Sequence, residues 1–183
     1  MAERLEGGDD ICKVPVRELQ RGDVVRTAYH GLAKIVCVVI TPPPATMYAA
    51  TTKDPGVGQP GPPLRRTSVV LTGWHPFLTE EGTWAFPVEQ WSEVEYPYDE
   101  VWNFLLAPRD NDSFFSPTIL VDSTACVTLG HGLLGGRVMH PYWGWDVVGA
   151  LASLPGWEEG RISLVSRRET RAALPDAIPS TPT

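Results

Sequence analysis

The sequence has few cysteines, few basic residues and no long apolar run. Its three cysteines show no Cys-x-x-Cys spacing, which favours free thiols in a reducing compartment over a disulfide framework. Lys and Arg number 15 against 22 Asp and Glu, a net charge of -7. A nucleic-acid partner is therefore not expected, because phosphate binding needs a basic face. No run of about 18 apolar residues and no signal peptide are present, so we expect no membrane partner and a cytoplasmic or other intracellular location.

Proline and glycine, in contrast, are abundant, with 18 and 17 residues. Proline is excluded from helix interiors and central strand positions, so short strands and turns should dominate an all-β domain. The β-branched run Ala33–Thr41 predicts a long buried strand. Lys13–Val16 and Val24–Thr27 predict a hairpin, and Asp122–Thr124 predicts a turn between two further strands. One helix is predicted at Trp145–Leu154.

Two segments fall outside this pattern of strands. Residues 42–66 contain mainly Pro, Gly, Thr and Ala, and we expect them to form an exposed insertion loop that can be shortened without loss of the fold. Residues 166–183 are first charged and then rich in Pro, Ser and Thr, and we expect a largely disordered tail. The domain itself is expected to span residues 4–160.

The strongest chemical signal is a Thr-x-x-His step, Thr72 to His75, at the end of the apolar run Ser68–Leu71. A hydroxyl can hold a carbonyl or an amide by a hydrogen bond, and an imidazole titrates near neutral pH and can pass a proton. The alternative interpretation is a strand end with a half-buried histidine. The motif alone does not decide between the two.

The surrounding motifs occur in a recognisable order. They are Leu19–Val25, a long Val/Ile strand, Leu71–Pro76, Trp84–Pro87, Val101–Leu106 and Ala125–Gly132. This order resembles the hedgehog/intein (Hint) superfamily, and most closely its Vint branch, the Hint-like domains found beside von Willebrand A domains. The resemblance implies a horseshoe-shaped all-β fold with two related halves, to which one C-terminal helix is added.

The resemblance also implies self-directed peptide chemistry. An N-terminal Cys or Ser attacks the preceding carbonyl and turns an amide into a thioester or ester. By resemblance His75 protonates the departing nitrogen and Thr72 helps to hold the strained bond. Thr128 and Cys126 are candidates for the lining of the site, and Asn103 matches a position where splicing relatives often carry an acid. The implied partner is the protein's own N-terminal flanking domain, for which a von Willebrand A domain is one candidate. No cofactor or metal is implied.

The chain departs from the family pattern at both ends of the reaction. The nucleophile should open the domain, well before the Gly22-Asp23 pair. Cys12 precedes that pair too closely and falls within an expected strand, although it remains an alternative nucleophile. We therefore expect the nucleophile upstream of Met1 and expect the chain as given to be inactive. The His-Asn pair that ends splicing inteins does not occur, so splicing is not expected.

Three rival interpretations were weighed. Cys126, His131 and His140 suggest zinc, but their spacings match no standard site. A hydrolase acting in trans lacks a Gly-x-Ser-x-Gly elbow and an Asp partner for His75. A non-catalytic Hint scaffold or protein-interaction module remains the main alternative to self-processing.

Overall fold

A computed structural model describes residues 1–6, 10–28, 31–50, 69–108, 118–133, 136–139, 144, 146–166 and 168. These residues form thirteen strands in two sheets and two short α-helices, which confirms the all-β expectation. The strands are β1 Ala2–Glu6, β2 Asp10–Val14, β3 Val24–Arg26, β4 Leu32–Thr41, β5 Met47–Ala49, β6 Val70–Thr72, β7 Phe77–Leu78, β8 Trp84–Ala85, β9 Ser92–Val94, β10 Val101–Pro108, β11 Thr118–Val121, β12 Thr124–Val127 and β13 Arg161–Ser163; the helices are α1 Pro87–Gln90 and α2 Asp146–Ala152.

The larger sheet runs in the order β10-β4-β3-β1-β11-β12-β7-β8, with β2 beside β1 and β13 beside β4. Its longest strand, β4, is the predicted buried Val/Ile run. β4 pairs antiparallel with β10 over eight register positions, with a register shift between Leu105 and Leu106. Because both faces of β4 are covered, its side chains contribute to two separate hydrophobic clusters, through Ile35 and Val38 in one and Cys37 and Val39 in the other.

The prediction of a hairpin between Lys13–Val16 and Val24–Thr27 is wrong. β2 pairs instead with β1, from Ala2 opposite Val14 to Glu6 opposite Asp10. The ring of Pro15 fixes its φ near -58°, and the residues after it, Val16–Glu18, form a 3-10 turn. Leu19, which follows the turn, is buried in the core. This turn directs the chain across the sheet, so β3 pairs with β4 and β1 rather than with β2.

The prediction of an exposed loop at residues 42–66 is wrong near the start of that range. β5 is the central strand of the smaller sheet, with β6 on one side and β9 on the other. Its Met47 and Ala49 are buried while Tyr48 between them is half-buried, as the period of two along a strand requires. Three strand residues among prolines and threonines give too short a pattern to recognise. Residues 51–68 lie outside the described part of the chain.

The helix predicted at Trp145–Leu154 is present as the shorter α2. Its Val147 and Leu151 are buried against a cluster that also contains Ile162 of β13. β13 pairs in parallel with the middle of β4, so the sheet continues beyond the expected domain end at residue 160. Most of the tail expected at 166–183 lies outside the described residues. No helix in the described part of the chain is long and apolar enough to cross a membrane.

Candidate functional site

Four of the five candidate site residues meet at one cavity of about 400 Å³ between the two sheets. Thr72 enters from the end of β6, Asn103 from β10 and Cys126 from β12, and His75 stands on the segment between β6 and β7. The fifth candidate, Thr128, is 2% exposed and does not line the cavity wall. The walls are mostly apolar, so a peptide group in the cavity would lie largely against apolar side chains.

A tight turn joins Thr72 to His75. The His75 N–H donates to the Thr72 carbonyl oxygen at 3.1 Å, which closes the turn directly after β6. A Cβ on Gly73 would lie 2.8 Å from the Tyr48 ring, so glycine lets the turn pack against β5. The predicted Thr-x-x-His step is therefore a turn whose two end residues both line the cavity.

The His75 imidazole is buried and held by β12. Its Nε2 lies 2.9 Å from the Val127 carbonyl oxygen, and because a carbonyl only accepts, Nε2–H is the donor. Burial lowers the pKa of His75 from 6.5 to about 4, and the bond to Val127 opposes this shift only in part. At neutral pH the ring is therefore uncharged, with Nδ1 as the basic nitrogen. Such a ring accepts a proton before it can donate one.

Cys126 is a poor nucleophile in this setting. It is 1% exposed, and its Sγ makes only a weak contact, 3.7 Å from the Thr124 carbonyl oxygen. Burial raises the pKa of the Cys126 thiol to about 12, although the positive charge of the Met1 ammonium acts in the opposite direction. Because the thiolate is the reactive form, Cys126 fits a lining role.

Asn103 and Cys12 occupy different environments. Asn103, 6% exposed, stands opposite Val39 in the β10–β4 pair and reaches the cavity. Cys12 stands opposite Arg4 in the β1–β2 hairpin and does not line the cavity. The structure therefore does not bring the alternative nucleophile Cys12 to His75.

The sequence did not single out Asp122 and Met1, which also line the cavity. The Met1 ammonium lies 2.7 Å from Asp122 Oδ2, and the Asp122 N–H donates to the Met1 carbonyl oxygen at 2.8 Å. Asp122 was predicted only as a turn residue. No local signal joins it to a partner 121 positions away, so this contact requires the assembled sheet.

The zinc alternative gains no support from the described residues. Among them, no group of three or more His, Cys, Asp and Glu side chains is arranged to hold a metal ion. His131 uses Nδ1 to accept the Leu133 N–H at 2.8 Å, and burial lowers the pKa of His131. His140 lies outside the described residues.

Comparison with known families gives one match that covers most of the chain. A sequence model of the Hint-domain family Vint matches residues 4–176. This range includes the last three residues of β1 and all of the later strands. No curated protein matches the chain.

Proposed function

The chain belongs to the Vint branch of the Hint superfamily, and we propose that it is a self-processing domain that cleaves the peptide bond at its own N-terminal junction. The observation that carries this proposal is the shared cavity of Met1, Thr72 and His75. An acyl shift at a junction needs a proton-transfer group and a hydrogen-bonding hydroxyl at the point where the chain enters the domain. Here Thr72 and His75 line the same cavity as Met1.

The state of His75 supports a definite order of proton transfers. A Cys or Ser joined upstream of Met1 supplies the nucleophile, and the basic Nδ1 of His75 takes its proton. The sulfur or oxygen attacks the preceding carbonyl carbon, and His75 returns the proton to the amide nitrogen as the C–N bond breaks. The product is a thioester or ester, which water or another nucleophile then cleaves.

Thr72 is assigned the carbonyl oxygen. Negative charge develops on that oxygen during attack, and a hydroxyl donor in an apolar cavity stabilises it more than the same donor would in water. The turn closed by the His75 N–H and the Thr72 carbonyl fixes the spacing of the two residues along the backbone. The pair can therefore address one peptide group, with Thr72 on its oxygen and His75 on its nitrogen.

The substrate in this proposal is the protein's own upstream flanking domain, with a von Willebrand A domain as one candidate. Cleavage acts in cis and once per molecule, and it needs no cofactor. Splicing is not part of the proposal, because the sequence has no His-Asn pair. The free state of all three cysteines fits a reducing compartment.

A non-catalytic scaffold is the second candidate, and one observation favours it. Among the described residues Cys126 is the cavity's thiol, and its burial and raised pKa make it unreactive. If no upstream residue supplies a nucleophile, His75 has no thiol or hydroxyl from which to take a proton, and the domain does not cleave itself. The Hint fold would then act only as an interaction module.

A fusion experiment separates the two candidates. A reporter protein is joined to Met1 through a short segment, and a single Cys is moved through successive positions of that segment. Cleavage is followed on gels after addition of DTT. We expect cleavage for the one or two positions that place the thiol at the cavity, because proton transfer by a positioned imidazole contributes about 10²- to 10⁴-fold in rate.

The control is a second buried histidine outside the cavity. His75→Ala should abolish cleavage, while His131→Ala, which removes an imidazole that does not line the cavity, should leave cleavage in any molecule that folds. Circular dichroism confirms the fold of both variants. Equal cleavage by the wild type and His75→Ala, or no cleavage at any Cys position, would support the scaffold.

A further inference from the structure

The turn between β11 and β12 holds Met1 by two opposed contacts. Asp122 Oδ2 accepts from the Met1 nitrogen at 2.7 Å, and the Asp122 N–H donates to the Met1 carbonyl oxygen at 2.8 Å. Ala2, the next residue, pairs with Val121. Two hydrogen bonds and one strand pair therefore fix both the place and the direction of the chain where it enters the cavity.

The geometry of the turn is specific to this contact. Asp122 and Ser123 have φ values of 46° and 69°, the left-handed region in which Asp and Asn are among the tolerated side chains. The Asp122 side chain is 10% exposed. Its Oδ1 is buried and has no hydrogen-bond partner among the described groups, although buried polar atoms are nearly always satisfied. The carboxylate therefore keeps an unused acceptor beside the Met1 nitrogen.

The same hairpin also holds the proton-transfer group. β12 runs from the Asp122–Ser123 turn to Val127, whose carbonyl oxygen accepts from His75. Four register pairs join β12 to β11, so the hairpin is a rigid connection between its turn and Val127. One element thus sets the Met1 nitrogen at one end and the His75 ring at the other.

We propose that Asp122 is a positioning residue for the acyl shift: its carboxylate and backbone N–H clamp Met1, so that the chain upstream of Met1 is directed towards Thr72 and His75. The inference rests on the proposed self-processing function. In a longer chain the Met1 nitrogen is an amide, and its N–H donates to Oδ2 in place of the ammonium. The clamp therefore needs a hydrogen-bond acceptor at Asp122 and does not need its charge.

The test uses three variants of the cleaving fusion. Asp122→Gly removes the carboxylate without straining the left-handed backbone, since glycine adopts positive φ readily. Asp122→Asn keeps an acceptor oxygen and tolerates the same φ. Ser123→Gly is the matched control, because it adds the same flexibility to the same turn at an exposed residue that does not line the cavity.

The DTT cleavage rate is measured for each fusion, together with its thermal midpoint. We expect Asp122→Gly to be slower by about 10- to 100-fold, because a misplacement of about 1 Å has effects of that order. Asp122→Asn and Ser123→Gly should stay within a few-fold of the wild type. A purely structural hydrogen bond from Asp122 would lower the thermal midpoint of Asp122→Gly without this separation in rates.

Two results would overturn the clamp. One is an Asp122→Gly fusion that cleaves as fast as Ser123→Gly, which would mean that the carboxylate does not position the junction. The other is an Asp122→Asn fusion as slow as Asp122→Gly, which would mean that charge and not hydrogen bonding is required. Failure of the proposed function looks different, because the wild-type fusion would then cleave no faster than its His75→Ala variant.

Discussion

At the scale of single residues, burial determines what the cavity side chains can do. His75 and Cys126 are both removed from water, and each is driven towards its uncharged form: the pKa of the imidazole falls and that of the thiol rises. The imidazole becomes a neutral base while the thiol becomes inert. The same physical effect therefore leaves His75 uncharged at neutral pH and keeps Cys126 in its unreactive thiol form.

The pKa of His75 is directly measurable. We expect its ring signals in NMR to titrate at about 4, well below the ordinary value of 6.5, with Nε2 protonated at neutral pH. A lowered folded-state pKa means that the unfolded chain binds more protons between these values, so stability is lost as the pH falls from 6.5 towards 4. His75→Gln should reduce this acid-induced loss by roughly 3 kcal/mol. Titration near 6.5 would contradict the burial of the ring.

The three thiols should react at different rates with a thiol reagent under native conditions. Cys37 and Cys126 are 0% and 1% exposed, while Cys12 is half-buried. Because reaction needs access as well as thiolate, mass spectrometry after brief iodoacetamide treatment should find the label on Cys12 first. Early labelling of Cys126 would show that its thiol is more accessible than the structure has it.

At the scale of elements, the sequence predicts what depends on local pattern. The β-branched run gives β4, and the Thr-x-x-His step is correctly placed at the end of β6. The clamp between Met1 and Asp122 is not predictable in this way, because it joins opposite parts of the chain. β5 is missed for a different reason: three residues are too few for a periodicity, and its burial comes from β6 and β9 on either side.

The β5–β6 connection offers a test at this scale. The Ala50 N–H donates to the Val69 carbonyl oxygen at 3.0 Å, so the two ends of residues 51–68 are adjacent. Replacing that segment with Asn-Gly, which suits a tight hairpin turn, should retain the fold and keep or raise the thermal midpoint, because a shorter loop costs less closure entropy. The thermal midpoint is read by circular dichroism. A collapse of the fold would mean that residues 51–68 are structurally required.

A substitution within β5, in contrast, should lower the stability of the fold. Met47 is 2% exposed in the smaller sheet, and Met47→Ala should cost about 2–5 kcal/mol in urea unfolding. Tyr48→Ala, at the half-buried position beside it, should cost less. Equal losses would contradict the alternating burial of this strand.

At the scale of the whole molecule, the sheet is assembled from distant parts of the chain. β1 from the N-terminus contacts β11 across most of the sequence, and β13 near the other end lies beside β4. The cavity is lined by residues from the N-terminus and from β6, β10, β11 and β12, so its formation depends on the assembly of several distant segments. Single local segments therefore do not carry the site.

Truncation tests the role of β13. A chain that ends at residue 160 loses Ile162 and Leu164, both buried against β4 and α2, and should unfold at a clearly lower urea concentration. A chain that ends at residue 168 keeps them and should match the full chain. Ile162→Ala alone should cost about 2–4 kcal/mol. Equal stability of the two truncated chains would place β13 outside the folded domain.

The most direct measurement of the central claim is the mass of the fragment that DTT releases from the Cys-containing fusion. If His75 drives an acyl shift, mass spectrometry should find the reporter carrying a DTT thioester at its new C-terminus in the wild type and in His131→Ala, and none in a folded His75→Ala. Release of the same thioester-bearing fragment at the same rate by a folded His75→Ala would contradict the account.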